Sequence, residues 1–327
     1  MVKNFREMKT RITIIILNYN NYNDTIECFE SIDNSNADSY DIIIVDNKST
    51  DNSYTKLFEY FTNKKNSFYE VNSLNPKEKI FETHNFNRKI ILLETDYNGG
   101  YAYGNNQGIK RSNSMKSDFV LILNNDTIVT KNFLSPLVNT AQHNNAGIIG
   151  SKINYFSNQD TIWFNGGSIN SFTSEVKHFD FNKVKYESSD IKTVSFITGC
   201  IWLVPKKIFK EIGLLDEEYF MYFEDVDFCW RVASNGYKLL VCTDSLIYHK
   251  KNPNKTNNFN LPPSIYYLRL KNKIKFVNKN FKIINKLSSY FYTLLRPLMV
   301  FMLKGRLDLV IKHIYFYFKI VFNYDSK

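Results

Sequence analysis

Cysteine is scarce in this chain. The four present (Cys28, Cys200, Cys229 and Cys242) show no C-x-x-C spacing and sit inside apolar stretches. They read as small core residues of a reducing compartment, not as a disulfide framework or a thiolate zinc site. Glycine-rich phosphate loops are also missing. Neither G-x-G-x-x-G nor G-x-x-x-x-G-K-[ST] follows an apolar strand, which argues against dinucleotide-binding and P-loop readings. The most apolar run, Leu287–Leu303, contains Arg296 and Pro297 and falls short of the ~20 apolar residues of a spanning helix. The opening MVKNFREMKTR is polar, and Ile12–Leu17 is too short for the apolar part of a signal peptide, so the chain is expected to stay in the cytoplasm. Acid is scarce at one end only. From Lys250 to Lys327, 16 Lys and Arg face two Asp, a net +14 within a chain of net +10, which leaves −4 for residues 1–249. Basic charge confined to a tail, instead of lining a cleft, argues against nucleic-acid binding.

What remains is an ample apolar inventory. With 327 residues, 43% of them hydrophobic, the chain can form one large α/β domain and an appendage. Residues 11–150 alternate strand and helix. Arg11–Leu17, Asp41–Val45, Ile90–Leu93 and Phe119–Leu123 are continuous apolar runs of the kind found in parallel strands buried on both faces. Tyr22–Ser35 carries Ile26, Phe29 and Ile32 at helical spacing, with Asn23 or Asp24 available as a cap. Residues 63–88 are rich in Asn, Lys and Glu and are expected to form an irregular insertion. Beyond residue 150, Ile162–Ile169 reads as a hairpin around Gly166-Gly167, Val194–Val204 as one strand, Pro205 to Gly213 as a short helix, Glu224–Ser234 as a helix, and Tyr237–Cys242 as a last strand. The polar run KKNPNKTNNFN separates a domain over residues 1–255 from a basic, aromatic helical tail over 256–327.

Ligands of open parallel sheets bind beyond the carboxyl ends of the strands. Those ends are polar here: Asn18-Tyr19-Asn20, Asp46-Asn47 and Asn124-Asn125-Asp126. Strands commonly end in Asn or Asp turns, but three on one rim favour a site. Asp126 would supply one carboxylate to a hard cation such as Mg²⁺ or Mn²⁺, completed by phosphate oxygens. Gly100, Gly104 and Gly108 make one smooth helix face that admits close packing on the sheet, with Asn106 either a packing residue or near a bound nucleotide. Glu224, Asp225 and Asp227 lie in an aromatic stretch, where a partly desolvated carboxylate becomes basic enough to take a proton. Asp227 and Arg231 are spaced to pair. His249 is a surface histidine or a metal ligand.

The stretches IIILNYNNYNDTIECFESI, IIIVDNKSTDNS, NGGYAYGNNQGI, LILNNDTIV and GLLDEEYFMYFEDVDFCWRVASNGYKLLVCTDSLIYHK follow one another over residues 12–250. In this order they resemble the family 2 glycosyltransferases, especially the bacterial rhamnosyltransferase-like branch. The resemblance implies a GT-A fold, a Rossmann-like, mostly parallel sheet with helices on both faces, and single displacement with inversion. It implies that Asp46 contacts the nucleotide base, that Asn18 and Tyr19 lie in the first nucleotide-binding loop, and that Asn106 is the family's recurrent Asn. Asn124-Asn125-Asp126 falls where the family carries a DxD-type metal motif, with Asn124 replacing its first acid. Asp225 matches the family's general base in an ED motif, and His249 a histidine that completes the metal shell.

The implied activity is transfer of a sugar from dTDP-rhamnose or a UDP-sugar, with Mg²⁺ or Mn²⁺, to a saccharide acceptor in surface polysaccharide (O-antigen or capsule) synthesis. Lys and Arg interleaved with Phe and Tyr in the tail suit a helix lying on an anionic membrane surface, on the inner face of the cell membrane. A lipid-linked acceptor would fit that placement, and homodimerisation through the tail is the alternative use of the same surface. Two other readings compete: a nucleotidyltransferase, against which NYNNYND offers no Gly- or Lys-rich phosphate loop, and a binding or scaffold protein whose catalysis is impaired by Asn124.

Overall fold

The computed structural model describes residues 10–37, 39–64, 67–84, 88–184, 189–251 and 261–323. The chain opens with β1 (Ile12–Asn18), α1 (Tyr22–Asp33), β2 (Tyr40–Asp46), α2 (Ser53–Asn63), β3 (Phe68–Val71), β4 (Glu78–Thr83) and β5 (Lys89–Glu94). It continues with α3 (Gly100–Ser112), β6 (Phe119–Asn124), β7 (Thr127–Val129), α4 (Leu134–His143) and β8 (Ala146–Tyr155). The second half holds β9 (Ile162–Phe164), β10 (Gly167–Ile169), β11 (Val176–His178), β12 (Ile191–Val194), β13 (Ile201–Pro205), α5 (Lys206–Ile212), α6 (Glu224–Ser234) and β14 (Lys238–His249). Three helices close the chain: α7 (Pro263–Asn280), α8 (Ile283–Leu303) and α9 (Leu307–Asn323).

The sheet is centred on four parallel strands in the order β5-β2-β1-β6. Their apolar runs are buried end to end, as parallel strands covered on both faces must be. The path leaves β1 toward β2 and β5 on one side and returns to β6 on the other, so the carboxyl end of β1 is a switch point where a crevice opens. Register fixes what lines it: Asn18 lies beside Asp46, and Leu17 beside Asn124. Helix α3 packs against β1 and β2 through its glycines. A Cβ on Gly108 would come within 2.6 Å of Ile15 Cγ2, and one on Gly104 would overlap the Leu17 side chain. The four cysteines are all buried with free thiols.

Several expectations from the sequence are corrected. Residues 68–83 are not irregular: β3 and β4 extend the sheet antiparallel from β5, because alternate side chains such as Phe68 and Phe81 reach an aromatic cluster with Phe29 and Phe61. Residues 162–169 are not a hairpin. The β9 strand pairs with β8 and β10 with β11, since Gly166 has φ +97° and turns the chain away between them. Nor is Val194–Val204 one strand. It breaks between β12 and β13, where Trp202 Nε1 donates to the Ile197 carbonyl. Helix α1 starts at Tyr22 with Asn21 at its cap position, so Asn23 and Asp24 fall inside the first turn. The last strand runs on to His249, past a register shift between Cys242 and Leu246.

The tail folds back on the body. Phe276, Val277 and Phe281 of α7 and after it join the main core, whereas Leu270, Ile274, Tyr317 and Ile320 form a small second cluster with α9. The segment around residues 252–260, read as the linker, lies outside the described residues. Among the described residues no helix is long and apolar enough to cross a membrane.

Candidate active site

On the β1–β2 side the rim is a closed hydrogen-bond lattice. Asn18 Nδ2 donates to Asp46 Oδ2 at 2.7 Å and to Ser49 Oγ at 3.2 Å, and Asn18 Oδ1 accepts from Thr25 Oγ1 at 2.8 Å. Asp46 also accepts from the Ser49 backbone N–H (2.9 Å) and hydroxyl (2.7 Å). Both side chains are fully buried, so Asp46 is a preset acceptor held at the sheet's edge. Tyr19, next in the chain, stands 42% exposed. Ser49 escaped notice in the sequence because a serine three residues past a strand carries no signal of its own.

The β6 tip is next. The Asn124 N–H donates to the Cys200 carbonyl (3.0 Å), and Asn125 Nδ2 donates to Thr25 Oγ1 (3.0 Å). Asp126 Oδ1 lies 3.1 Å from His249 Nε2. The imidazole is buried against the Trp163 ring, with centroids 4.5 Å apart, and its Nδ1 has no hydrogen-bond partner. His249 is therefore no surface residue: β14 pairs with β7 in a register that sets His249 opposite Thr127, bringing it to Asp126. Burial opposes ionisation of Asp126, but the hydrogen bond and charge of His249 and the charge of Lys251 outweigh it, holding the carboxyl below its usual range. A carboxylate and an imidazole brought together, the imidazole with an unpartnered Nδ1, are donors of the kind a divalent cation takes, with diphosphate oxygens as its further ligands. Among the described residues no group of three or more His, Cys, Asp or Glu could hold a metal by itself.

The third side is the start of α6. Tyr222 and Phe223 are both left-handed (φ +70° and +73°) and present Glu224 and Asp225 at the helix N-terminus. This backbone strain is unusual for bulky residues and is held from two directions. The Phe220 carbonyl accepts the Tyr101 N–H at 2.8 Å where α3 begins. Contact is so close there that a Cβ on Gly100 (φ +82°) would overlap the Phe220 oxygen. From the tail, buried Asn272 donates both amide hydrogens, to the carbonyls of Met221 and Tyr222, each at 2.9 Å.

Asp225 accepts from the Gly199 N–H (3.2 Å) and the Val226 N–H (2.9 Å) and stays part-accessible. Burial pushes its pKa up to about 6. Glu224 is more deeply buried, with Oε2 unpartnered, and burial and the neighbouring Asp225 charge raise its pKa well above the usual range. Tyr101, donating to the Gly199 carbonyl, is likewise held protonated by burial and by both carboxylates. The dipeptide Gly199-Cys200 thus joins two parts of the site: Gly199 N–H holds Asp225, and Cys200 C=O holds Asn124. It went unread in the sequence because it lies inside a run that scans as one strand.

Asn106 is committed to contacts within the protein, and Asp227 makes the pair with Arg231 that its spacing predicts. Asn106 is buried in α3 and fully used: Oδ1 accepts the Leu215 N–H (3.1 Å), and Nδ2 donates to the Leu215 carbonyl and Glu217 (2.8 Å each). It clamps the loop before α6 and does not face the crevice. Asp227 pairs with Arg231 at 2.7 Å, and Arg231 caps the Ile212 and Leu214 carbonyls. That pair is a brace for α6.

A crevice at a sheet switch point, walled by a buried Asn–Asp lattice, an Asp–His pair and two perturbed carboxylates, belongs to an α/β enzyme fold that handles nucleotides. The profile of Glycosyl transferase family 2 matches residues 13–213, and that of Glycosyl transferase family group 2 matches residues 119–322; the chain belongs to glycosyl transferase family 2. It is 27% identical over 154 residues to the low-salt glycan biosynthesis hexosyltransferase Agl10 of Haloferax volcanii, covering 47% of this chain and 49% of that one. It is 23% identical to glycosyltransferase GlyG of Streptococcus pneumoniae (63% and 60% covered) and 25% identical to dTDP-rhamnosyl transferase RfbF of Shigella flexneri (59% and 64%). The matches thus span half to just under two thirds of these relatives' lengths. In three dimensions it is similar to the crystal structure of GalNAc-T7 with UDP, GalNAc and Mn²⁺, with a TM-score of 0.64 at 15% identity, covering 98% of this chain and 58% of that one. S. aureus TarS gives a TM-score of 0.52 at 14% identity, with 87% and 42% covered. The fold is GT-A.

Proposed function

We propose that this protein is an inverting glycosyltransferase with Asp225 as its base. The observation that carries this reading is the Gly199-Cys200 bridge, which sets an accessible carboxylate of raised pKa beside the Asn124–Asp126 tip. The donor is a nucleoside diphosphate sugar, dTDP-rhamnose or a UDP-sugar, with its base and ribose toward Tyr19 and the Asn18–Asp46 lattice. Asp225 takes the proton of an acceptor hydroxyl. The hydroxyl oxygen bonds the anomeric carbon from one face while the bond to the diphosphate oxygen breaks on the other, and the electron pair leaves on the diphosphate. Asp126 and His249 would hold the Mg²⁺ or Mn²⁺ that neutralises this leaving group. Glu224 stays protonated beside Asp225.

The acceptor is a saccharide of a surface polysaccharide pathway (O-antigen or capsule), carried on a lipid. The tail supports this placement at the inner face of the cell membrane. Ile284, Leu287, Phe291, Leu295, Met299 and Met302 form one exposed apolar stripe along α8, and Leu307, Ile311, Phe318 and Phe322 another along α9. Exposed Lys282, Lys304, Lys312 and Lys319 flank them, a pairing of charge and apolar surface suited to an anionic bilayer. Residues 256–327 are thus a membrane-associating unit appended to the catalytic domain over 1–255.

Release of nucleoside diphosphate from UDP-, dTDP- and GDP-sugars, with Mn²⁺, Mg²⁺ or EDTA, tests the activity. Slow release from one donor that EDTA abolishes is expected. Neither release nor thermal-shift binding with any donor would sink the enzyme reading. For the tail, sedimentation with vesicles containing anionic lipid should exceed that with neutral vesicles, and dimerisation without vesicle binding would reverse the assignment.

A further inference from the structure

A cavity of about 480 Å³ lies where α7 and α8 meet the body. Its walls differ sharply in character. Leu261, Leu270, Pro297, Val300 and Phe301 supply an apolar side, while Arg269, Lys273 and Arg296 bring three cations against one carboxylate, Glu175. That carboxylate is already engaged, with Arg296 Nη1 at 2.8 Å and the Tyr292 hydroxyl donating at 2.9 Å. The Arg269 guanidinium stacks 4.4 Å from the centroid of the Tyr222 ring.

Lys273 stands out among these groups. Its ammonium lies 5.7 Å from the Tyr292 ring centroid and has no hydrogen-bond or ion-pair partner among the described residues. Burial, with Arg296 adding to it and Glu175 opposing it, lowers its pKa to about 8. Lys273 is half-buried, and partial desolvation of a cation without a partner is costly, so folded proteins pair such groups or neutralise them. A ligand anion would supply the missing partner.

The cavity also adjoins the chemistry. Phe223 lines it, and Phe223 directly precedes Glu224 and Asp225. On the outer side, Pro297, Val300 and Phe301 share α8 with the exposed stripe of Leu295, Met299 and Met302. A ligand filling this space needs a compact anion at one end and an apolar chain at the other.

We propose that the cavity between α7 and α8 binds the phosphate group of an amphiphilic acceptor, with Lys273, Arg269 and Arg296 around the phosphate and the apolar chain leaving along α8. This rests on the transferase reading and deepens it by assigning the acceptor's anchor to residues outside the family's sequence motifs. The hydroxyl to be glycosylated would then reach Asp225 past Phe223.

The test uses the full chain and calorimetric titration with decyl phosphate, decanol and inorganic phosphate. Decyl phosphate should bind, and each of the others should bind at least about tenfold more weakly, as expected when an ionic hydrogen bond or the apolar contact is removed. Lys273→Met, which keeps the stem and removes the charge, should weaken decyl phosphate at least about tenfold without lowering Tm. Equal affinity of Lys273→Met and wild type overturns the site. Equal affinity for decanol makes the cavity apolar only, and equal affinity for inorganic phosphate makes it a free-phosphate site; either overturns the amphiphile. Nucleotide release by the wild-type protein is measured alongside. Release without decyl phosphate binding removes this site and leaves the transferase, whereas decyl phosphate binding with neither release nor thermal-shift binding of any donor does the reverse.

Discussion

Asn18 and Asp46 on one side of the crevice, and Glu224 and Asp225 on the other, are polar pairs held against the same apolar sheet. Their surroundings differ. The first pair sits on regular strand backbone, and Ser49, Thr25 and each other use its hydrogen-bonding capacity. The second sits behind two left-handed aromatic residues, with one carboxylate oxygen buried and unpartnered. A satisfied lattice is rigid and suits recognition, because it can meet a ligand without reorganising. A desolvated carboxylate such as Asp225 is basic and suits proton transfer, while Glu224 beside it is held protonated. The molecule thus places left-handed aromatic residues directly before the α6 carboxylates and keeps Asn18 and Asp46 themselves on regular strand backbone.

The sharpest way to break this contrast is Asp225→Asn. Transfer should fall by ~10³-fold, within the range for loss of a general base, while donor affinity by titration stays at the wild-type value. Near-normal turnover would move the role to Glu224. Next in size, Asp126→Ala should weaken metal-dependent donor binding by ~10–100-fold, a range typical of damage to a metal's surroundings. An unchanged affinity with an unchanged EDTA response would detach Asp126 from the metal.

Asn272→Ala tests whether the tail positions the base. Two part-buried carbonyls lose their donor, at roughly 1 kcal/mol each, so Tm should drop. If the role is positioning, kcat should also fall by ~10-fold or more with the donor KM unchanged. A lower Tm with normal kcat would make Asn272 merely structural.

The smallest effects concern pH. A base whose pKa is about 6 is ionised above that value, so kcat/KM should be level at neutral pH and fall about tenfold per unit below it. A flat profile down to pH 5 would contradict the assignment. The same shift has the opposite sign for stability. The folded pKa lies above the usual 3.8, so the contribution of this group is present below 3.8 and lost as pH rises through about 6. Asp225→Asn should therefore raise Tm at neutral pH while abolishing transfer, and the gain should vanish in acid.

Much of the rim at the ends of β1, β2 and β6 was legible beforehand. Asn18, Asp46 and Asn124 end apolar runs of strand length, and a parallel sheet aligns such ends on one rim whatever the side chains do next. Gly104 and Gly108 gave the α3 contact by spacing alone. The start of α6 was legible only as residue types. Asp225 and Glu224 could be named, but which is accessible depends on the left-handed turn at Tyr222 and Phe223, and nothing in those aromatic residues advertises positive φ. Asn106 stayed open between packing and a ligand for a related reason: an Asn in a glycine-rich helix serves a ligand or a neighbouring loop equally well, and its contact with Leu215 comes from far along the chain.

By itself the sequence determined the central strands, the rim and the core, because those follow from hydrophobic period and length, which are local. Tertiary structure decided the contacts between distant segments: His249 with Asp126, Gly199 with Asp225, and Asn272 with the turn before α6. Each depends on strand register or helix docking, which a one-residue slip would abolish, and no local pattern encodes that.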